Sequence, residues 1–76
     1  MKELVEEIAK ALVDKPDAVS ASEAPGPEGT TIKLTVDPSD VGKVIGKQGR
    51  TARSMRTVVN AAASKLDKRY QLEIAE

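Results

Sequence analysis

The chain contains no cysteine, histidine, phenylalanine or tryptophan, and its one aromatic side chain is Tyr70. Without cysteine no disulfide can staple the fold. Without cysteine or histidine the usual structural zinc ligands are missing. The same absences remove the commonest general base and the Cys–His and Ser–His pairs of covalent catalysis. Ser39, Ser54 and Ser64 have no base to activate them. The carboxylates sit mostly on the first predicted helix and form no metal-ligand cluster, so neither an enzyme nor a cofactor is expected. Lack of Phe and Trp excludes a stacking platform of the RRM or OB type. Long apolar runs are also lacking, and none approaches the roughly 20 residues that span a bilayer. The opening MKELVEEIAKALVDK is too charged for a signal peptide. The expectation is a cytoplasmic protein with no membrane association. At 76 residues, one domain over 1–76 is expected. A core of that size is marginal, so stability must come from packing, with a partner subunit as the remaining source.

Charge of one sign is missing from a long stretch. Between Val41 and Leu66 there is no acidic residue, while Lys43, Lys47, Arg50, Arg53, Arg56 and Lys65 are basic. Residues 1–40 hold four lysines against nine acidic residues, a balance of −5, and residues 41–76 hold eight Lys or Arg against three, a balance of +5. The formal net charge of zero therefore hides a polarised chain. Such a chain either turns a positive face to a polyanion or neutralises one half with the other inside the fold. The acidic face of Glu3, Glu6, Glu7 and Asp14 reads as a solvated helix surface.

What is present reads as alternating helices and strands. Leu4, Val5, Ile8, Ala9, Leu12 and Val13 recur at helical spacing, predicting an amphipathic helix from Met1 to about Lys15. Ala18–Ala24 is a weak strand and Pro25–Gly29 a turn. Thr30–Val36 alternates, with Ile32, Leu34 and Val36 on one side and Thr31, Lys33 and Thr35 on the other, predicting a strand hairpinned to the first. Asp37 followed by Pro38 is a helix start. That helix is short, because Gly46 follows about two turns later. After Gly49 a second helix runs to about Lys68, with Ala52, Met55, Val59, Ala62 and Leu66 on its apolar face. Tyr70–Ile74 is a last strand. The predicted class is α+β, in the order α-β-β-α-α-β. A right-handed crossover makes the last two strands parallel, in a three-stranded mixed sheet with strand 30–36 central and three helices on one face.

The break between the last two helices reads Val44-Ile45-Gly46-Lys47-Gln48-Gly49-Arg50. Glycine tolerates positive φ and leaves room for a phosphate backbone to pass close. A helix starting at Gly49–Arg50 aims unpaired N–H groups and a positive dipole end at that space. Lys47, Arg50 and Arg53 add charge for phosphates, and Val44 and Ile45 offer apolar surface for a splayed base. A bare G-x-x-G is usually a turn. Here it lies inside a β-α-α-β unit among cations, with no acid in the segment. Other glycine motifs fail on spacing. Gly42 and Gly46 are too close for a phosphate loop of the Walker type, and a dinucleotide fingerprint would follow a strand directly.

This order of elements, with I-G-x-x-G at Ile45–Gly49, resembles a type II KH domain over essentially the whole chain. The short length is similar to the small bacterial KH proteins of the KhpA family. The resemblance implies single-stranded RNA or DNA binding, in which the loop clamps a backbone of about four nucleotides. It implies a clamp of Gly46, Lys47, Gln48 and Gly49, with Val44 and Ile45 lining the groove. With the nearby cations Lys43, Arg50 and Arg53 these residues make the expected nucleic-acid site. The resemblance also implies a role as an RNA chaperone or post-transcriptional regulator. It further implies self-association as a homodimer, or a heterodimer with a larger KH-containing RNA-binding protein, and a part in small-RNA biology and in cell-wall, shape or division control. Where the KH pattern usually continues G-x-x-I-x-x-I, this chain has Ala52 and Met55. Both keep the apolar face and read first as ordinary core packing, with a looser groove wall at the smaller Ala52 as the alternative. A second hypothesis from a different class is a protein-interaction module that keeps the KH shape and acts through a partner protein.

Overall fold

The computed structural model describes residues 1–75. The elements run α1 (Lys2–Leu12), β1 (Ser20–Gly26), β2 (Gly29–Thr35), α2 (Val41–Ile45), α3 (Arg50–Lys65) and β3 (Tyr70–Ile74). Short 3-10 turns lie at Pro16–Ala18, Pro38–Asp40 and Lys47–Gly49. The class is α+β in the expected order. β1 and β2 form an antiparallel hairpin whose ladder reaches Gly26 opposite Gly29, so its turn is only Pro27–Glu28. β3 joins parallel to β2, with Ile32 opposite Leu72, and β2 is the central strand.

Alternation along β2 sends Ile32 and Leu34 into the core and leaves Lys33 and Thr35 exposed on the other face. Val5 and Ala9 of α1, Val44 of α2, and Met55 and Val59 of α3 pack onto them, with Val36 and Leu72. The buried core contains no aromatic ring. Aliphatic side chains and Met55 fill the space between one layer of sheet and one layer of helix.

The boundaries differ from expectation where side chains compete for backbone groups. α1 stops at Leu12, not near Lys15, and Val13 is already extended. Pro16 disfavours helical geometry at Lys15, and the Lys15 N–H donates to the Asp40 carboxylate at 3.0 Å. Residues 38–45 are not one helix. Asp37 Oδ1 accepts from the Ser39 N–H at 2.9 Å and the Ser39 hydroxyl at 2.7 Å, which caps a 3-10 turn, and α2 proper has only five residues. α3 ends at Lys65, not near Lys68. Asp67 takes a left-handed φ of 54°. Its N–H donates to the Ser64 carbonyl at 3.1 Å, and that of Lys68 to Ala63 at 3.0 Å. This is the Schellman pattern, with Asp in the place usually taken by Gly. The buried face of α3 is Ala52, Met55, Val59 and Ala63. Ala62 is half-buried, and Leu66, the C-cap, is 56% exposed.

The two edges of the sheet are unlike. On β1, Glu6 Oε2 accepts the Ala21 N–H at 3.0 Å, and Pro25 has no N–H to offer. On β3, Ala75 donates to the Leu34 carbonyl at 2.9 Å. By the alternation of a parallel ladder, the N–H and C=O groups of Leu72 and Ile74 then point away from β2.

Candidate nucleic-acid interface

Gly46 closes α2 by donating to the Gly42 carbonyl at 2.8 Å. Its φ of 78° and ψ of 171° lie in a region essentially restricted to glycine. A Cβ there would collide with the Thr51 side chain and lie 2.8 Å from the Thr51 nitrogen. Gly49 is left-handed, with φ 75° and ψ 14°, and has open space around it. Between them Gln48 also takes a left-handed conformation, φ 58° and ψ 25°. For a residue with a Cβ this costs about 1 kcal/mol. The chain therefore holds a strained tip in the open between two helices.

The start of α3 is equally uneconomical for a helix. Its N-cap is Gly49, with no side-chain cap bond and no acidic residue in the first turn. A Ser, Thr, Asp or Asn cap would stabilise it by about 1 kcal/mol, and cations at this end oppose the dipole. Arg50 and Arg53 nevertheless stand there, both exposed, beside exposed Lys47 and Gln48. None of Lys47, Arg50 and Arg53 enters an ion pair among the described residues. Arg50 Nη2 donates to Gln48 Oε1 at 3.4 Å, which leaves the Gln48 amide to present its N–H donors. Exposed donors and positive charge with no carboxylate partner are the chemistry that suits an anion.

Two of the expected site residues stand elsewhere. Lys43 Nζ lies 2.9 Å from Asp14 and 3.4 Å from Asp40. Its hydrogen bonds to Asp14 and then Asp40 raise its pKa above the ordinary 10.5. Asp40 is 1% exposed. Burial pushes its carboxyl up. The N–H groups of Lys15 and Asp14 and the Lys43 ammonium outweigh burial and hold it below the ordinary 3.8. Asp37 is lowered too, by the Ser39 hydroxyl and then the Ser39 N–H, with Lys15 at 3.7 Å. Lys43 thus belongs to a cluster that ties the end of α1 to the start of α2. Val44 is fully buried in the core, so Ile45 alone of that pair reaches the surface beside the loop. The structure brings together Ile45, Gly46, Lys47, Gln48, Gly49, Arg50 and Arg53.

A trough leads away from the loop between α3 and the open edge of β3. Ile45, Gly49, Ala52 and Arg56 form one wall, and Leu72 and Ile74 the other. It continues past Arg56, Val59 and Asn60 opposite Tyr70 and Leu72. Arg56 sits where the two parts meet, and its Nε donates to the Leu72 carbonyl at 3.4 Å. Glu73 is the one acid on the lining. Arg56, Leu72 and Ile74 were not among the residues assigned from sequence. The signal for Arg56 was its spacing: Gly49, Ala52 and Arg56 follow at intervals of three and four and share a helix face. Nothing in the sequence marked β3 as the wall.

An α-β-β-α-α-β chain with this sheet order and a G-x-x-G loop between its last two helices has the type II KH architecture. The chain belongs to the KhpA/KhpB KH-domain family, whose description, "KhpA/KhpB, KH domain", matches residues 2–74. It is 58% identical over 74 residues to the RNA-binding protein KhpA of Clostridium perfringens, covering 97% of this chain and 99% of that protein. Identity is 55% over 76 residues, all of both chains, to the RNA-binding protein KhpA of Halalkalibacterium halodurans. Among solved structures, a crystal structure of Aquifex aeolicus Era matches with a TM-score of 0.62 at 22% identity, over 96% of this chain and 28% of that one. That last likeness is one of fold alone.

Proposed function

We propose that this protein binds single-stranded RNA, gripping the phosphate backbone at Gly46–Gly49 and laying the bases along the trough between α3 and β3. The observation that carries the reading is the start of α3, where a strained glycine loop meets an uncapped, acid-free helix end bearing unpaired cations. Such an arrangement costs stability and has a use only when an anion arrives. The curated relatives named above support RNA as that anion. Lys47, Gln48, Arg50 and Arg53 contact phosphates. Ile45, Ala52, Leu72 and Ile74 give the bases an apolar seat. Arg56 and the open edge of β3 offer donors and acceptors to base edges. With few bases read and no stacking ring in the trough wall except Tyr70, binding is sequence-tolerant and salt-sensitive. Useful affinity then requires several modules on one RNA, as for an RNA chaperone or post-transcriptional regulator in the cytoplasm.

A second reading, a module acting through a partner protein, is favoured by a separate apolar patch. Ile8 and Leu12 of α1 and Met55 and Val58 of α3 line it, and Leu12 and Val58 are 39% and 43% exposed. One experiment separates the two. The wild type and a Lys47→Asp, Gln48→Asp variant, shown to be folded by circular dichroism, are titrated with single-stranded RNA at several salt concentrations. The RNA reading expects wild-type binding with a steep salt slope, weakened at least about tenfold in the variant. Equal binding by both, or binding by neither, removes the clamp and leaves the partner-protein reading.

A further inference from the structure

Resting on the RNA-binding reading, we propose a second phosphate-contact site at the far end of α3, formed by Lys68 and Arg69, to which the bound strand runs along the helix. The face of α3 that lines the trough leads toward that site. Asn60 lines the second part of the trough. One helical turn further, Ser64 borders the next depression, with Asp67, Lys68 and Arg69. Gly49, Ala52, Arg56, Asn60 and Ser64 follow at intervals of three and four, so they share one face of α3. α3 and β3 run in opposite directions, which places Ile74 beside the glycine loop and Tyr70, next to Arg69, at the other end. No acidic residue occurs on α3, so the wall between the two sites repels no phosphate.

The far end is built to hold its cations in place. The Lys68 N–H is tied to the Ala63 carbonyl at 3.0 Å, and the Arg69 carbonyl accepts from Thr30 at 2.9 Å. Both side chains are exposed, and neither enters an ion pair among the described residues. Asp67 is the one acid on this depression, against two cations. Cations near a helix C-terminus also offset its dipole. Lys65, in the last turn, already does so, whereas Lys68 and Arg69 come after the helix has ended. The 16 residues of α3 set the two sites about 24 Å apart, at about 1.5 Å per residue. One end then holds phosphates at the loop and the other holds them at Lys68 and Arg69, with the bases between.

The test measures binding of unstructured RNAs of about four nucleotides, the span of one clamp, and about ten nucleotides. Wild type is compared with Lys68→Glu/Arg69→Glu, with the milder Lys68→Gln/Arg69→Gln, and with the loop variant. Thermal melts check that each is folded. The expected result is that charge reversal weakens the longer RNA about tenfold and lowers the salt slope by about 1.4, for two lost contacts at about 0.7 each on a single strand. The neutral pair moves both in the same direction by less, and the short RNA stays within about twofold for both far-end variants. In wild type the longer RNA, unlike the short one, shifts the amide NMR signals of residues 68–70. Dipole compensation alone predicts a lower melting temperature and no dependence on RNA length. If the longer RNA binds all far-end variants as it binds wild type, while the loop variant binds neither RNA, the second site is wrong and the clamp stands. If wild type binds neither RNA, the clamp and the second site fall together.

Discussion

Two lysines four residues apart, one within α2 and one just past it, have opposite fates. Inside the helix Lys43 is held between Asp14 and Asp40, within a cluster that also engages Lys15 and Asp37. Beyond its end Lys47 stands on a glycine loop with no carboxylate partner among the described residues. One end is sewn to the body of the protein and the other is left open, so a helix of only five residues presents the loop from a fixed base. A cation in the sequence is therefore not always an unpaired cation in the fold. What decides is whether folding brings an acid to it.

The comparison can be broken hardest at Gly46. Gly46→Ala is expected to cost roughly 2–3 kcal/mol, because alanine meets both a forbidden backbone region and the Thr51 backbone. Gly49→Ala, with the φ penalty but free space, should cost about 1 kcal/mol. Urea unfolding measures both, and equal losses would refute the asymmetry of the loop.

The anchored end is tested through pH. The carboxyls of Asp40 and Asp37 are lowered from 3.8, so the stability they supply is present above that value. It drains away as pH falls through the lower folded values. Lys43 is raised from 10.5, so its contribution persists through neutral pH and is lost only in strong alkali. Asp40→Asn should melt several degrees lower at pH 7 and lose less than wild type between about pH 4 and pH 2. An unchanged acid limb would mean that the cluster does not anchor α2.

The smallest effect is the sharpest on the comparison itself. Lys47→Gln should weaken single-stranded RNA binding about threefold to tenfold and lower the salt slope by about 0.7, one phosphate contact. Lys43→Gln should leave affinity within about twofold and show itself in the melting temperature. Matching losses of affinity from both would place Lys43 back in the interface.

Much of this was legible in one dimension. The alternation of Ile32, Leu34 and Val36 defined the central strand, and the crossover rule set its parallel neighbour. The glycines marked the loop, and the segment without acids marked where an anion is tolerated. Some differences have local causes, such as the Asp37–Ser39 turn before α2 and the left-handed Asp67 after α3, and others concern a group whose partner is distant in sequence. α1 ends early because Asp40 takes the N–H of Lys15, 25 residues away. Lys43 gains a carboxylate partner because Asp14, 29 residues away, reaches it. Val44 and Ile45 look alike in sequence, yet the turn of α2 points one into the core and the other at the trough.

The sequence by itself determined the elements, their order, the glycine loop and its charge, because periodicity, turn chemistry and local composition act over a few residues. Only the tertiary structure decided which strand edge stays open, which cations stay unpaired, and that Arg56, Leu72 and Ile74 meet in one trough. Those outcomes depend on contacts between α1, α3 and β3, and contacts at that separation follow from how the layers pack.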